Sequence, residues 1–153
     1  MSLLDHTSVR DAREDRGWTQ RALAEAAGLK QANIAAIESG ARPASPALLR
    51  RILAAADYRP SLPLAQNADA INQQADALGI DDVRVFGSVA RGTDHHDSDI
   101  DLLVRLRPGV AGFELGAFKD FVERVTGFPV DVVVDRGDTE SLDHIRRAAR
   151  PLA

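Results

Sequence analysis

The stretch Val83 to Val104, VRVFGSVARGTDHHDSDIDLLV, sets two apolar runs on either side of a Gly-Ser pair, a short turn and two aspartates. Gly87 and Ser88 close the first run. Asp99 and Asp101 flank Ile100, so a strand from Ile100 to Val104, with its side-chain period of two, puts both carboxylates on one face. If Ser88 to Arg91 makes one helical turn, its free backbone N–H groups and the Ser88 hydroxyl face an anion. The missing side chain of Gly87 then lets a phosphate come close. Two acids so placed require a cation, and the stretch reads as a metal and nucleotide site.

Outward from it, the pattern predicts a sheet of three apolar runs, Val83 to Phe86, Ile100 to Leu106 and Val130 to Val134. A helix from Asn67 to Leu78 precedes them, stopped by Gly79. A second, from Gly112 to Val125, is stopped by Gly127, with Phe113, Leu115, Phe118, Phe121, Val122 and Val125 on its apolar face. A closing helix from Thr139 to Ala149 ends at Pro151. This half is expected to be an α/β or α+β domain with a mixed sheet. Asp131 is an acid among valines, and alone it is also what an edge strand uses against aggregation. Three carboxylates on one face repel, each close pair by about 1 kcal/mol in water and about 4 at an effective dielectric of 20. A divalent cation reverses that sign, and hard oxygen ligands favour Mg2+ or Mn2+. His95 and His96, adjacent and without a third ligand at a suitable spacing, read as a solvated loop, and Asp94 and Asp97 read as surface.

The first half is different. Val9 to Arg16, Gln20 to Ala27 behind Thr19 as N-cap, Gln31 to Glu38, and Ala47 to Ala56 behind Ser45 and Pro46 are expected helices. Gly28 and then Leu29-Lys30 join the second to the third, as in a helix-turn-helix. From Asp57 the composition changes, and Pro60 and Pro63 predict an extended connector. The division expected is an all-α bundle over 1–60, a linker over 61–66 and an α/β unit over 67–153.

Charge follows the same division. Of 153 residues, 1–60 carry 9 basic and 7 acidic side chains, and 61–153 carry 10 and 16, within a net charge of -4. A globally acidic chain does not hold nucleic acid by bulk charge, so such contact requires a local patch on the first half. There is no cysteine, which excludes disulfides and thiolate metal sites and fits a reducing cytoplasm. No apolar run approaches the roughly 18 to 20 residues of a membrane span, and no export signal is evident.

Residues GWTQRALAEAAGLKQANIAAIESGARPASPALLRRILAAA resemble the Cro and phage-repressor-like DNA-binding family, through Trp18-Thr19-Gln20, Leu23-Ala24, Gly28-Leu29, Ile34, Ile37-Glu38, Gly40 and Arg42-Pro43. The resemblance implies that Gln20 and Arg42 meet backbone phosphates and that Lys30, Gln31 and Asn33 lie on the groove-facing side. So few contacts require a dimer on a two-fold operator. A helical module that only dimerises or docks a partner is the alternative.

GSVARG with SDIDLLV, together with the later acid, resembles the DNA polymerase β-like nucleotidyltransferase superfamily in its minimal branch, over about 67–150. The resemblance implies that Gly87 and Ser88 hold a triphosphate, that Asp99 and Asp101 bind the metals, and that Asp131 binds the second metal and activates the attacking hydroxyl. Arg91 is a candidate for the triphosphate charge or for capping its own turn. The reaction implied is transfer of a nucleoside monophosphate from an NTP such as ATP, with Mg2+ or Mn2+. Minimal members of this type are commonly paired with a HEPN-type helical toxin, which implies an antitoxin that adenylylates its partner and represses its own operon. Two other readings stay open: a repressor whose second domain only binds nucleotide or toxin, and a transferase acting on RNA or a small molecule. The chain is read as ending after its last helix without an added acceptor domain, leaving the active face open.

Overall fold

The computed structural model describes residues 4–137 and 140–153. Four helices come first: α1 (His6–Asp15), α2 (Gln20–Ala27), α3 (Gln31–Glu38) and α4 (Pro46–Ala55). Their ends follow local chemistry. The Asp5 carboxylate accepts the Thr7 N–H at 2.8 Å and starts α1 earlier than composition implied. Thr19 Oγ1 accepts the Ala22 N–H at 3.1 Å, and Ser45 Oγ accepts that of Leu48 at 3.2 Å. Val9, Leu23, Ile34, Ile37 and Ile52 fill the bundle's centre.

The predicted connector is not extended. Ser61–Gln66 forms α5, with Pro63 and Leu64 buried. Pro63 stands at the third helical position, where no intrahelical partner awaits an N–H, so its missing donor costs the helix nothing. Then follow α6 (Ala68–Ala77), β1 (Ile80–Phe86), α7 (Gly87–Arg91), β2 (Ile100–Leu106), α8 (Gly112–Thr126), β3 (Val130–Val134), a 3-10 turn (Glu140–Leu142), α9 (Asp143–Ala148) and β4 (Arg150–Pro151). The closing helix is thus shorter than expected, and Thr139, its expected cap, lies outside the described residues. Pro151, expected only to end that helix, belongs to a strand.

The sheet order is β3-β2-β1-β4. β2 and β3 are parallel; β1 is antiparallel to both of its neighbours, so the sheet is mixed. Val85, Leu102 and Val104, with Val130, point to the face covered by α6 and α8, where Ile71, Phe118 and Val122 meet them. Phe113, expected on the apolar face of α8, is instead 85% exposed. It lies in the first turn, one position off the stripe that carries Phe118, Val122 and Thr126 inward. The two domains share one continuous apolar core, in which Tyr58 and Leu64 link the bundle to Phe128, and the Tyr58 and Phe128 rings lie 5.8 Å apart.

Candidate active site

The opposite face of the sheet carries the acids. In the parallel β2/β3 pair Asp101 is registered against Asp131, and across the antiparallel pair Phe86 is registered against Asp101. Registered residues share a face, so Asp101 and Asp131 project to the same side about 5 Å apart at the backbone. Asp99 stands two residues earlier, just ahead of β2. The Ile100 N–H donates to the Pro129 carbonyl at 2.8 Å and the Val130 N–H to Glu123 Oε1 at 3.0 Å, which fixes where both strands begin.

Gly87 opens α7 with φ +70, and a Cβ built there would stand 2.0 Å from Asp101 Oδ2. The carboxylate thus occupies the space any side chain at 87 would need. Burial first, then the charges of Asp131 and Asp99, push the Asp101 carboxyl above its ordinary value, while Arg91 pulls it back. Asp101, Asp131 and the Gly87 turn are brought together by the strand register and by the packing of Gly87 on Asp101. Among the described residues, the carboxylates of Asp99, Asp101 and Asp131 accept no hydrogen bond and pair with no Lys or Arg within 4 Å, and Arg91 is equally without an ion pair. Ser88 lies half-buried in the first turn of α7 with its hydroxyl uncommitted.

Metal binding can be weighed on these donors. Three carboxylates without a hydrogen-bonded partner, one of them raised above its ordinary value first by burial and then by the other two, form a hard-oxygen set whose repulsion a divalent cation would cancel. They fit Mg2+ or Mn2+ in kind. Among the described residues no three acidic or histidine side chains are already drawn together at ligating distance.

Not every surface reading of the intervening loop holds. Asp94, read as surface, is 5% exposed. Its Oδ2 accepts the Ser61 N–H at 2.8 Å, at the start of α5. His95 and His96 are exposed, yet the His96 N–H donates to Asp57 Oδ1 at 3.0 Å and its Nδ1 lies 3.1 Å from the same oxygen. Asp57 follows α4 with φ +52, a post-helical position where Asn, Asp and Gly are favoured, which is the signal sequence reading passed over.

On the bundle, Lys30, Gln31 and Arg42 are exposed and Asn33 is half-buried. Arg42 Nη1 donates to Asn33 Oδ1 at 3.3 Å. Gln20 Nε2 donates to Glu38 Oε2 at 3.0 Å, and Glu38 also receives Arg13 at 2.6 Å, so Gln20 is held at the start of α2 by the end of α3.

A mixed four-stranded α+β domain behind a helix-turn-helix bundle defines the class: a transferase domain joined to a module of DNA-binding type. The chain belongs to the nucleotidyltransferase domain family, which matches residues 68–149, and the helix-turn-helix family matches residues 9–62. It is similar to a solved structure assigned as a minimal nucleotidyltransferase, at 38% sequence identity and a TM-score of 0.54, covering 58% of this chain and 92% of that one. No curated protein is similar enough to match it. No helix among the described residues is long and apolar enough to cross a membrane.

Proposed function

We propose that the chain is a Mg2+- or Mn2+-dependent nucleotidyltransferase of antitoxin type, which transfers AMP from ATP to a hydroxyl on a HEPN-type toxin partner and binds its own operator. The observation that carries the transferase reading is the register of Asp101 against Asp131, with Gly87 packed on Asp101. Gly87, Ser88 and the first turn of α7 hold the triphosphate, and Arg91 offsets its charge. Asp99, Asp101 and Asp131 would hold the divalent metal, which when bound would stabilise negative charge on the reacting phosphoryl oxygens. The Asp131 carboxylate takes the proton of the attacking hydroxyl. The new O–P bond forms at the α-phosphorus as the bond to the β-phosphate oxygen breaks and pyrophosphate leaves.

The units 1–60 and 67–153 then carry separate tasks in the cytoplasm, joined through 61–66. Lys30 and Gln31, exposed at the start of α3, read base edges. Arg42 braces Asn33 and meets phosphate, and Gln20 does the same from its Glu38 anchor. A dimer on a two-fold site supplies affinity that one such short helix lacks. The acidic second half disfavours RNA as the acceptor.

Incubation with ATP, Mg2+ and the protein encoded by the neighbouring gene, followed by intact mass measurement, tests this. The expected result is a gain of one AMP on the partner, abolished by Asp99→Ala. No gain, with Asp99→Ala neutralising the partner as well as wild type does, would leave only the binding role.

A further inference from the structure

Loop 93–99, between α7 and β2, ends in Asp99 and leads into Asp101, the second residue of β2, and it is fastened at two points, to Asp57 after α4 and to Ser61 at the start of α5. We infer that Asp57 and Asp94 are positioning residues of the active site: two crossed hydrogen bonds, each from a backbone N–H to a carboxylate across the domain seam, hold this loop and with it Asp99 and Asp101. Asp57 of the bundle accepts the His96 N–H at 3.0 Å, and Asp94 of the loop accepts the Ser61 N–H at 2.8 Å. The loop thus contributes one carboxylate and one amide, met by the Asp57 carboxylate after α4 and by the Ser61 amide at the start of α5.

Asp94 is buried while Thr93, His95, His96, Asp97 and Asp99 around it are exposed, and a buried carboxylate persists only where it is well satisfied. Asp57 takes φ +52, a conformation uncommon outside glycine. Because both bonds end on main-chain amides, they fix the path of the loop itself. His96 lies three residues before Asp99, a span of at most about 10 Å of chain, and the turn in which the Ser98 N–H donates to the His95 carbonyl at 3.0 Å shortens it further.

The seam continues beneath the third acid. Tyr58 packs on Phe128, the residue before Pro129, whose carbonyl takes the Ile100 N–H. Arg59, between Asp57 and Ser61, grips Asp15 of α1 with two bonds at 2.6 and 3.1 Å and stands 3.9 Å from Asp94. The helical domain therefore braces the loop that leads into Asp99 and Asp101, beside the DNA-binding task proposed for it. The inference rests on Asp99 and Asp101 being metal ligands, and deepens that reading by saying what aims them.

The test uses the full chain and Mn2+ alone as the probe, with free Mn2+ read by electron paramagnetic resonance. Asp57→Gly keeps the positive φ and removes the acceptor, Asp57→Asn keeps an acceptor oxygen, and Asp94→Ala cuts the second bond. Asp57→Gly and Asp94→Ala should each weaken Mn2+ binding, by up to the roughly tenfold that loss of a group bonded directly to a ligand costs, since they act on the ligands only through the loop. Asp57→Asn should stay close to wild type. In the folded Asp57→Gly protein the His96 amide should exchange faster, with the circular dichroism of the bundle unchanged. Wild-type Mn2+ affinity in both Asp57→Gly and Asp94→Ala would overturn the inference. A wild-type chain that binds no Mn2+ would instead overturn the metal site on which it rests.

Discussion

Gly87, the first residue of α7, and Gly92, which caps its end, make a controlled pair. Both take positive φ, +70 and +68, where an L side chain costs roughly 1 to 2 kcal/mol. A Cβ at Gly92 meets open space, whereas one at Gly87 collides with the Asp101 carboxylate. Gly87→Ala and Gly92→Ala should therefore lose similar backbone terms in urea denaturation. Only Gly87→Ala should also lose Mn2+ and nucleotide binding, because Asp101 must move to make room. Equal nucleotide binding by the two variants would show that the Asp101 position does not matter to the site.

At the scale of elements, Asp135 is the bolt that holds α9 and β1 to the end of β3. Buried just past β3, it receives Arg84 at 2.7 Å, Arg146 at 2.9 and 2.8 Å, and the Gly137 N–H at 3.0 Å. Arg146 first, and then Arg84 and Gly137, against the opposing effect of burial, hold its carboxyl well below the ordinary carboxylate range. A depressed folded-state value contributes stability above the unfolded value of about 3.9 and loses it as pH falls through the folded one. Asp135→Asn should thus cost about 3 kcal/mol at pH 7, as breaking a buried pair does, and the gap to wild type should narrow below about pH 4 in urea titrations. A gap that does not change with pH would contradict the assignment.

The elements also show what the sequence could reveal. α2 and α3 have the bounds expected of them, because Thr19 caps α2 and left-handed Gly28 ends it locally. β2 and β3 likewise match their apolar runs, and the period of two puts Asp99 and Asp101 on one face, whereas the register that sets Asp101 beside Asp131 comes from the parallel pairing of the two strands. α5 was missed because its prolines read as breakers, although one precedes the helix and the other falls in the first turn. β4 has no pattern to read: it exists because Arg150 and Pro151 pair with Val85 and Arg84, and because the Leu152 N–H reaches the Val83 carbonyl at 3.1 Å. The burial of Asp94 depends on Ser61, 33 residues away, and no local spacing encodes that contact.

Over the whole molecule, charge and core say different things. The halves differ in charge and match two separate families, yet Tyr58, Leu64 and Phe128 belong to one apolar core, and the starts of β2 and β3 sit on the seam. A transferase domain built this way has its acids aimed from both sides of the seam, and its central claim is geometric. Crystals grown with Mn2+ and a nucleoside triphosphate, measured for anomalous scattering from manganese, address it most directly. The account predicts a peak at about 2.0 to 2.2 Å from carboxylate oxygens of Asp99 and Asp101, with Asp131 turned toward the same centre and the triphosphate on the Gly87–Ser88 turn. Manganese bound elsewhere, with nucleotide away from that turn and the three carboxylates still apart, would contradict it.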